Sequence, residues 1–408
     1  MHRNHCIANL EAGYLFPEIA KRKKEYLQAH PGAKVISLGV GNTTEPIPPH
    51  INEGLVNGAK ALGKAETYSG YGDDYGNPAL REKIAAVLYK GLVGADEVFI
   101  SDGAKCDIGR LQYLFGNVEV AVQDPSYPVY VDGSVLAGAA DGIVLRVNMS
   151  GAGTAYQRIT YLPCTPSNNY FPDFQKIPSG CLVYFCSPNN PTGAVADRAQ
   201  LKTLVDTAIL KQALIIFDAA YSEYIRDPAL PKTIYEIEGA KRCAIEVNSF
   251  SKSAGFTGVR LGWTIVPKEL RYASGEKIIN DWGRICTTIF NGASNIAQAG
   301  GLAALDEQGL AEMRGLTDYY MRNARLIRAT LQKMGLKCTG GDNAPYIWAQ
   351  FPDRDSWEVF SSLLEKCQIV STPGSGFGPA GQGFVRFSAF GHYADIEEAC
   401  RRLEKIPV

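Results

Sequence analysis

Short, continuous apolar runs alternate with helical patterns along the first two-thirds of this chain, and that alternation restricts its architecture more than any other feature. From Asn77 to Leu92, apolar residues at Leu80, Ile84, Val87 and Leu88 share one helical face. Strand-like runs follow at 97–101 and 118–122, separated by a helical stretch that begins near Ala104. Further runs lie at 143–147, 182–186, 214–217, 244–247 and 261–266. Strands that are apolar along their whole length are buried on both faces, so these runs predict an α/β domain with its sheet between helices.

Beyond about residue 286 the texture changes. A long helix is expected over 317–334, a strand over 346–351, a helix over 357–366, a strand over 383–388 and a last helix over 395–406. That mixture predicts a smaller α+β domain. A stiff segment, Glu45-Pro-Ile-Pro-Pro49, sets off the N-terminus. The expected division is 1–47 as an arm and part of the small domain, 48–285 as the large domain, and 286–408 as the rest of the small one. A chain of 408 residues is long enough for two such cores.

The formal net charge of -1 gives no electrostatic reason to expect nucleic acid or an anionic membrane as a partner. No apolar run approaches the roughly 18 residues that span a bilayer. The first residues lack both a secretory apolar core and an Arg/Ser-rich transit character, which reads as a mature or cytoplasmic start. Ten scattered cysteines without a CxxC pair point to a reducing compartment, and the five histidines, His2 and His5 included, have no metal-ligand spacing. No metal is expected.

Chemistry concentrates at the ends of the apolar runs, where α/β proteins place their ligands. Ser249-Phe-Ser-Lys252 is followed eight residues on by Arg260 in a glycine-rich loop. Two hydroxyls, a lysine and an arginine suit a phosphorylated aldehyde: Lys252 can form an imine, while Ser249, Ser251 and Arg260 hold a phosphate dianion. A solvated turn with incidental basic residues is the plainer alternative. Asp218, in Phe217-Asp-Ala-Ala-Tyr221, can pair with a protonated pyridine nitrogen, and Tyr221 can donate to a ring oxygen; a lone strand-end Asp is also a common helix cap. Ser187-Pro-Asn-Asn-Pro-Thr-Gly193 reads first as a loop, with Asn190 able to donate to the same oxygen. Ser101-Asp-Gly-Ala-Lys105 places a helix start where the N–H groups of Ala104 and Lys105 can cradle an anion. Tyr127, in Asp124-Pro-Ser-Tyr-Pro128, offers a ring to stack on a flat heteroaromatic, or simply fills a core.

Taken together and in this order, these segments resemble the pyridoxal 5'-phosphate (PLP) fold-type I aminotransferases across essentially the whole chain. More narrowly, Ser101-Asp-Gly-Ala-Lys-Cys-Asp107, Gln123-Asp-Pro-Ser-Tyr-Pro128, the string from Ser249 to Trp263, Phe290-Asn-Gly-Ala-Ser-Asn295 and Thr372-Pro-Gly-Ser-Gly-Phe-Gly378 resemble the LL-diaminopimelate aminotransferase family of plants, algae and chlamydiae. The resemblance implies a mostly parallel seven-stranded sheet and a homodimer. It implies that Lys252 is the Schiff-base lysine and moves the proton between Cα and C4'. Asp218 binds the pyridine nitrogen, Asn190 and Tyr221 the phenolic oxygen, and Tyr127 the ring face. Ala104, Lys105, Ser249, Ser251 and Arg260 hold the phosphate, joined by Tyr71 from the neighbouring subunit.

For the substrate, the same resemblance implies Arg386 as the α-carboxylate grip, Tyr14 and Gly41 as N-terminal contacts, Asn291 near cofactor and distal substrate, and Lys105 for the distal carboxylate; Tyr127 and Asn190 also face the substrate. Relatives typically read Tyr-Gly-x-Glu-Gln-Gly where this chain has Tyr71-Gly-Asp-Asp-Tyr-Gly76. Asp74 therefore stands in for a glutamate, one methylene shorter, toward the distal ammonium group. The implied reaction is ping-pong exchange between LL-2,6-diaminopimelate with 2-oxoglutarate and tetrahydrodipicolinate with glutamate, in lysine biosynthesis. The implied compartment is the plastid stroma after removal of a leader, or the cytoplasm. A different PLP aminotransferase, a PLP lyase and a non-enzymatic PLP-fold module are the competing readings. Arg386 and the diaminopimelate-type strings weigh against the first two, and intact Lys252, Asp218, Asn190, Tyr221 and Arg260 weigh against the third. Gly374-Ser-Gly-Phe-Gly378 lacks the helix and downstream acid of a dinucleotide site and is assigned to a loop near the substrate.

Overall fold

The structure is a computed structural model and describes residues 1–10, 15–140, 143–148 and 151–405. Seven strands form the central sheet: β1 (Val98–Ser101), β2 (Val120–Asp124), β3 (Ile159–Pro163), β4 (Leu182–Cys186), β5 (Leu214–Asp218), β6 (Ala244–Ser249) and β7 (Gly262–Ile265). Their order is β1-β7-β6-β5-β4-β2-β3. All neighbours are parallel except β7, which runs antiparallel to both β1 and β6. Alternation sorts each strand between two cores. In β4, Val183 and Phe185 join one apolar cluster, while Leu182, Tyr184 and Cys186 join the cluster on the opposite face. This is the doubly covered sheet that the continuous apolar runs predict.

One run went elsewhere. Residues 143–148 pair antiparallel with 151–156 in a separate two-stranded ribbon, and Ile159–Pro163, unmarked in the sequence reading, takes the edge beside β2. A short apolar run does not reveal its pairing partner, so the ribbon and the sheet could not be told apart.

A second, antiparallel sheet follows: β8 (Cys338–Gly340), β9 (Tyr346–Gln350), β10 (Thr372–Pro373) and β11 (Phe384–Ser388), in the order β8-β9-β11-β10. A 27-residue helix, Glu307–Lys333, packs against it and starts ten residues earlier than the apolar pattern suggested. Asp306 caps that helix by accepting from Gly309 N–H at 2.9 Å. The N-terminal chain joins here, since Ile36 and Ser37 pair in parallel with Ile369 and Val370. The stretch from Asn77 is helical only to Lys83 and then widens into a π turn over Ile84–Leu88. Among the described residues no helix is long and apolar enough to cross a membrane.

Candidate active site

The carboxyl ends of β1, β2, β4, β5 and β6 share one edge of the sheet, and β7 starts there because it runs the other way. Gly262 consequently lies between Ser101 and Ser249 in register. Over this edge opens a cavity of about 300 Å³. Among the described residues its walls include Lys105, Lys252, Arg260 and Arg386 but one carboxylate, Asp218, so it suits an anionic guest.

Ser249 ends β6 and caps a single helical turn, Phe250–Ser253, by accepting from Ser251 N–H at 2.9 Å. That turn presents Lys252 to the cavity, and Tyr224 Oη fixes its backbone by donating to Lys252 O at 2.9 Å. Lys252 Nζ donates to Gly41 O at 2.5 Å. Burial, helped by Arg260 and Arg386, pulls its amine down to about 8. Near neutrality a usable fraction is therefore the free amine, the form that attacks carbonyl carbon.

Arg260 holds a left-handed backbone, φ 68°, which costs a non-glycine residue about 1 kcal/mol. The strain aims its guanidinium at Ser251 Oγ (3.3 Å) and over Gly103. A Cβ at Gly103 would meet Arg260 Nη2 at 2.5 Å, and one at Gly262 would meet Gly103 Cα at 2.7 Å and Ala104 N at 3.0 Å. Glycine at both positions brings guanidinium, hydroxyls and backbone together around one small cup. The helix Ala104–Phe115 begins at that cup, with Gly103 as its N-cap and the positive end of its dipole turned toward it.

Asp218 is 5% exposed at the end of β5. One carboxylate oxygen accepts from Tyr130 Oη at 2.7 Å and the other from Ala220 N–H at 3.0 Å. Burial raises its pKa and the two donors oppose the rise. Arg386, on β11 and 1% exposed, donates to Asn190 Oδ1 (2.6 Å) and Gly39 O (2.5 Å), while its buried Nε has no acceptor among the described residues. Because the guanidinium engages the amide oxygen of Asn190, its NH₂ is the end left for another acceptor.

The cavity brings together Gly41, Ala104, Lys105, Tyr127, Asn190, Asp218, Tyr221, Ser249, Ser251, Lys252, Arg260 and Arg386. Tyr71, Asp74 and Asn291 are outside its lining, and Tyr71 is 88% exposed. Tyr14 lies outside the described residues. Phe16, Val40, Tyr130, Cys186 and Tyr346 line the cavity without having been singled out. Tyr130 carried a faint signal, one helical turn after Tyr127. Tyr346 carried none, since in Tyr346-Ile-Trp it reads as ordinary strand filling.

A PLP molecule fits these residues on observations of the chain itself: a glycine-walled cup for a phosphate, a buried carboxylate already anchored on its far side, and an unpaired buried guanidinium N–H for a carboxylate. The family model for class I and II aminotransferases matches residues 33–403. The chain belongs to the class I and II aminotransferases. Among its relatives, the LL-diaminopimelate aminotransferase of Protochlamydia amoebophila (strain UWE25) is 53% identical to this aminotransferase, covering 98% of this chain and 97% of that one. The chloroplastic LL-diaminopimelate aminotransferase of Arabidopsis thaliana is 51% identical over 99% of this chain and 87% of its own length. The solved L,L-diaminopimelate aminotransferase of Chlamydomonas reinhardtii superposes with a TM-score of 0.94 at 53% identity, covering 100% of this aminotransferase and 99% of that chain.

Proposed function

We propose that this aminotransferase exchanges an amino group between LL-2,6-diaminopimelate and 2-oxoglutarate, giving tetrahydrodipicolinate and glutamate, with PLP as its cofactor. The observation that carries the reading is the single cavity in which Lys252, Asp218 and Arg386 face one another, in a chain half-identical over its length to proteins named for that reaction.

When bound, PLP supplies an electron-withdrawing ring that makes the substrate's Cα–H acidic. Ala104 and Lys105 N–H, Ser249, Ser251 and Arg260 hold its phosphate, Asp218 holds its ring nitrogen, Asn190 and Tyr221 donate to its ring oxygen, and Tyr127 covers its face. Arg386 binds the substrate's α-carboxylate through its unpaired Nε and orients Cα. Lys252 Nζ would carry the proton between the substrate's Cα and C4' of the cofactor. Its lowered basicity suits both directions of transfer near neutral pH. Both substrates present an α-carboxylate, so one arginine serves both halves of a ping-pong cycle.

The working unit in this reading is a homodimer. Tyr71, exposed and outside the lining of its own cavity, reaches the partner's phosphate, Asp74 and Asn291 serve the distal end of the substrate, and Tyr14 closes over it from the N-terminal side. In this reading residues 1–47 and 286–408 supply the smaller lobe beside the large domain, 48–285, with Ala293, Ala297 and Ala304 packed into the large domain's core.

The test is a half-reaction. PLP-loaded protein is mixed separately with LL-diaminopimelate, meso-diaminopimelate, glutamate and aspartate, and loss of the bound cofactor's visible absorbance is followed. Rapid loss with LL-diaminopimelate and glutamate but not aspartate is expected. Loss with aspartate or aromatic amino acids and none with diaminopimelate would keep an aminotransferase and discard this substrate.

A further inference from the structure

Tyr346 meets three of the cavity residues already described, although nothing in the proposed chemistry uses it. It starts β9 and is 1% exposed. Its hydroxyl stands 2.7 Å from that of Tyr221, with the two rings edge to face at 5.2 Å. The guanidinium of Arg386 lies 4.3 Å above its ring. Its hydroxyl also faces Gly41, where an added Cβ would come within 2.4 Å of it.

We propose that Tyr346 is a positioning residue that couples the cofactor side of the site to the carboxylate side, hardening Tyr221 as a donor through its hydroxyl and supporting Arg386 through its ring. The inference rests on the reading of Tyr221 and Arg386 given above. If Tyr221 gives its proton to the cofactor's ring oxygen, the proton in the pair of hydroxyls must come from Tyr346. A hydroxyl that accepts a hydrogen bond donates more strongly, because successive bonds polarise one another. On the other side, Arg386 sits in a nearly dry setting, where an aromatic face beneath a guanidinium is worth most. Phe377 and Phe16 add further rings at 4.9 and 5.9 Å, so aromatic groups crowd the guanidinium. Gly41 completes the arrangement: its missing side chain is the space the Tyr346 hydroxyl occupies, and its carbonyl is the acceptor for Lys252.

The two arms separate in two variants. Tyr346→Phe keeps the ring and loses the hydroxyl. In the PLP-loaded variant the spectral pKa of the bound cofactor is expected to move up by about half a unit to one unit, since a weakened Tyr221 stabilises the ring phenolate less. The dissociation constant of 2-oxoglutarate for the same protein should change less than about twofold. Tyr346→Leu loses both features and should show the same spectral shift together with about 3- to 30-fold weaker 2-oxoglutarate binding. Gly41→Ala, by displacing the hydroxyl, should reproduce the spectral shift of Tyr346→Phe and add nothing to it in the double variant.

An unmoved spectral pKa in Tyr346→Phe, with full PLP occupancy and an unchanged melting temperature, overturns the first arm. Unweakened 2-oxoglutarate binding in Tyr346→Leu overturns the second. The wild-type half-reaction is run alongside: its failure condemns the functional reading, whereas wild-type turnover with unaltered variants condemns only the role of Tyr346.

Discussion

Tyr130 Oη donates to Asp218 at 2.7 Å while the ring of Tyr130 lies stacked on Tyr184, centroids 5.2 Å apart and planes 9° from parallel. The donor that steadies the acidic end of the site is thus itself locked by the core on one face of the sheet.

Removing that donor with Tyr130→Phe leaves Asp218 with Ala220 N–H alone and pushes its carboxyl further up. PLP affinity should fall about 3- to 10-fold, as for loss of one hydrogen bond to a buried charge. Equilibrium dialysis of PLP against the variant measures this, and wild-type affinity would mean that Asp218 needs no such support.

Lys252 should show itself in the pH dependence of cofactor capture. Its amine, drawn down to about 8, is mostly protonated at pH 6 and mostly free at pH 9. The rate of PLP uptake by the unloaded protein should therefore climb about tenfold per pH unit below 8 and level off above it. Lys252→Ala should neither turn over substrate nor develop the lysine-linked absorbance. A stopped-flow pH series decides it, and a midpoint near 10 would contradict the burial argument.

Asp124 ends β2 buried against the loop at 374–381, where Ala380 N–H reaches its two oxygens at 3.0 and 3.2 Å. A Cβ on Gly378 would strike it, so glycine is needed for this close approach. Burial pushes its carboxyl up to about 7, above the ordinary value of about 3.9. As pH rises from about 4 to 7 the unfolded chain gives up this proton before the folded chain does, so the group's contribution to stability falls across that window. Asparagine does not titrate. The melting temperature of Asp124→Asn relative to wild type should therefore improve between pH 5 and pH 8, and a constant gap would rule the assignment out.

Tyr71 offers a test of shared sites. Tyr71→Phe and Lys252→Ala each disable their own homodimer, the first by weakening PLP retention. In a hybrid of the two, one site has Lys252 from one subunit and Tyr71 from the other, both intact. Mixing the two under subunit exchange should restore close to one active site per hybrid. No gain on mixing would place Tyr71 outside the partner's site.

The residues bearing chemistry were legible because they sit at strand ends, and strand ends show in sequence as the place where an apolar run stops. Lys252, Asp218 and Asn190 all follow such stops. Arg260 was found by its glycines, which the cup at Gly103 and Gly262 explains. Pairing was not legible, since a short run at 143–148 does not show that its partner is 151–156 rather than a strand of the central sheet. Tyr346 and Tyr130 were missed for a related reason. Each looks like core in its own segment and acquires a role only through a residue more than 80 positions away, Tyr221 or Asp218.

Gly262 lies between Ser101 and Ser249 only once the reversed strand β7 has slotted between β1 and β6. The phosphate cup is therefore assembled from chain segments some 150 residues apart that meet at a single seam. No earlier compact state with β7 undocked owns that cup. Cofactor capture during refolding would accordingly mark when the seam closes, giving this non-local step of folding a visible colour of its own.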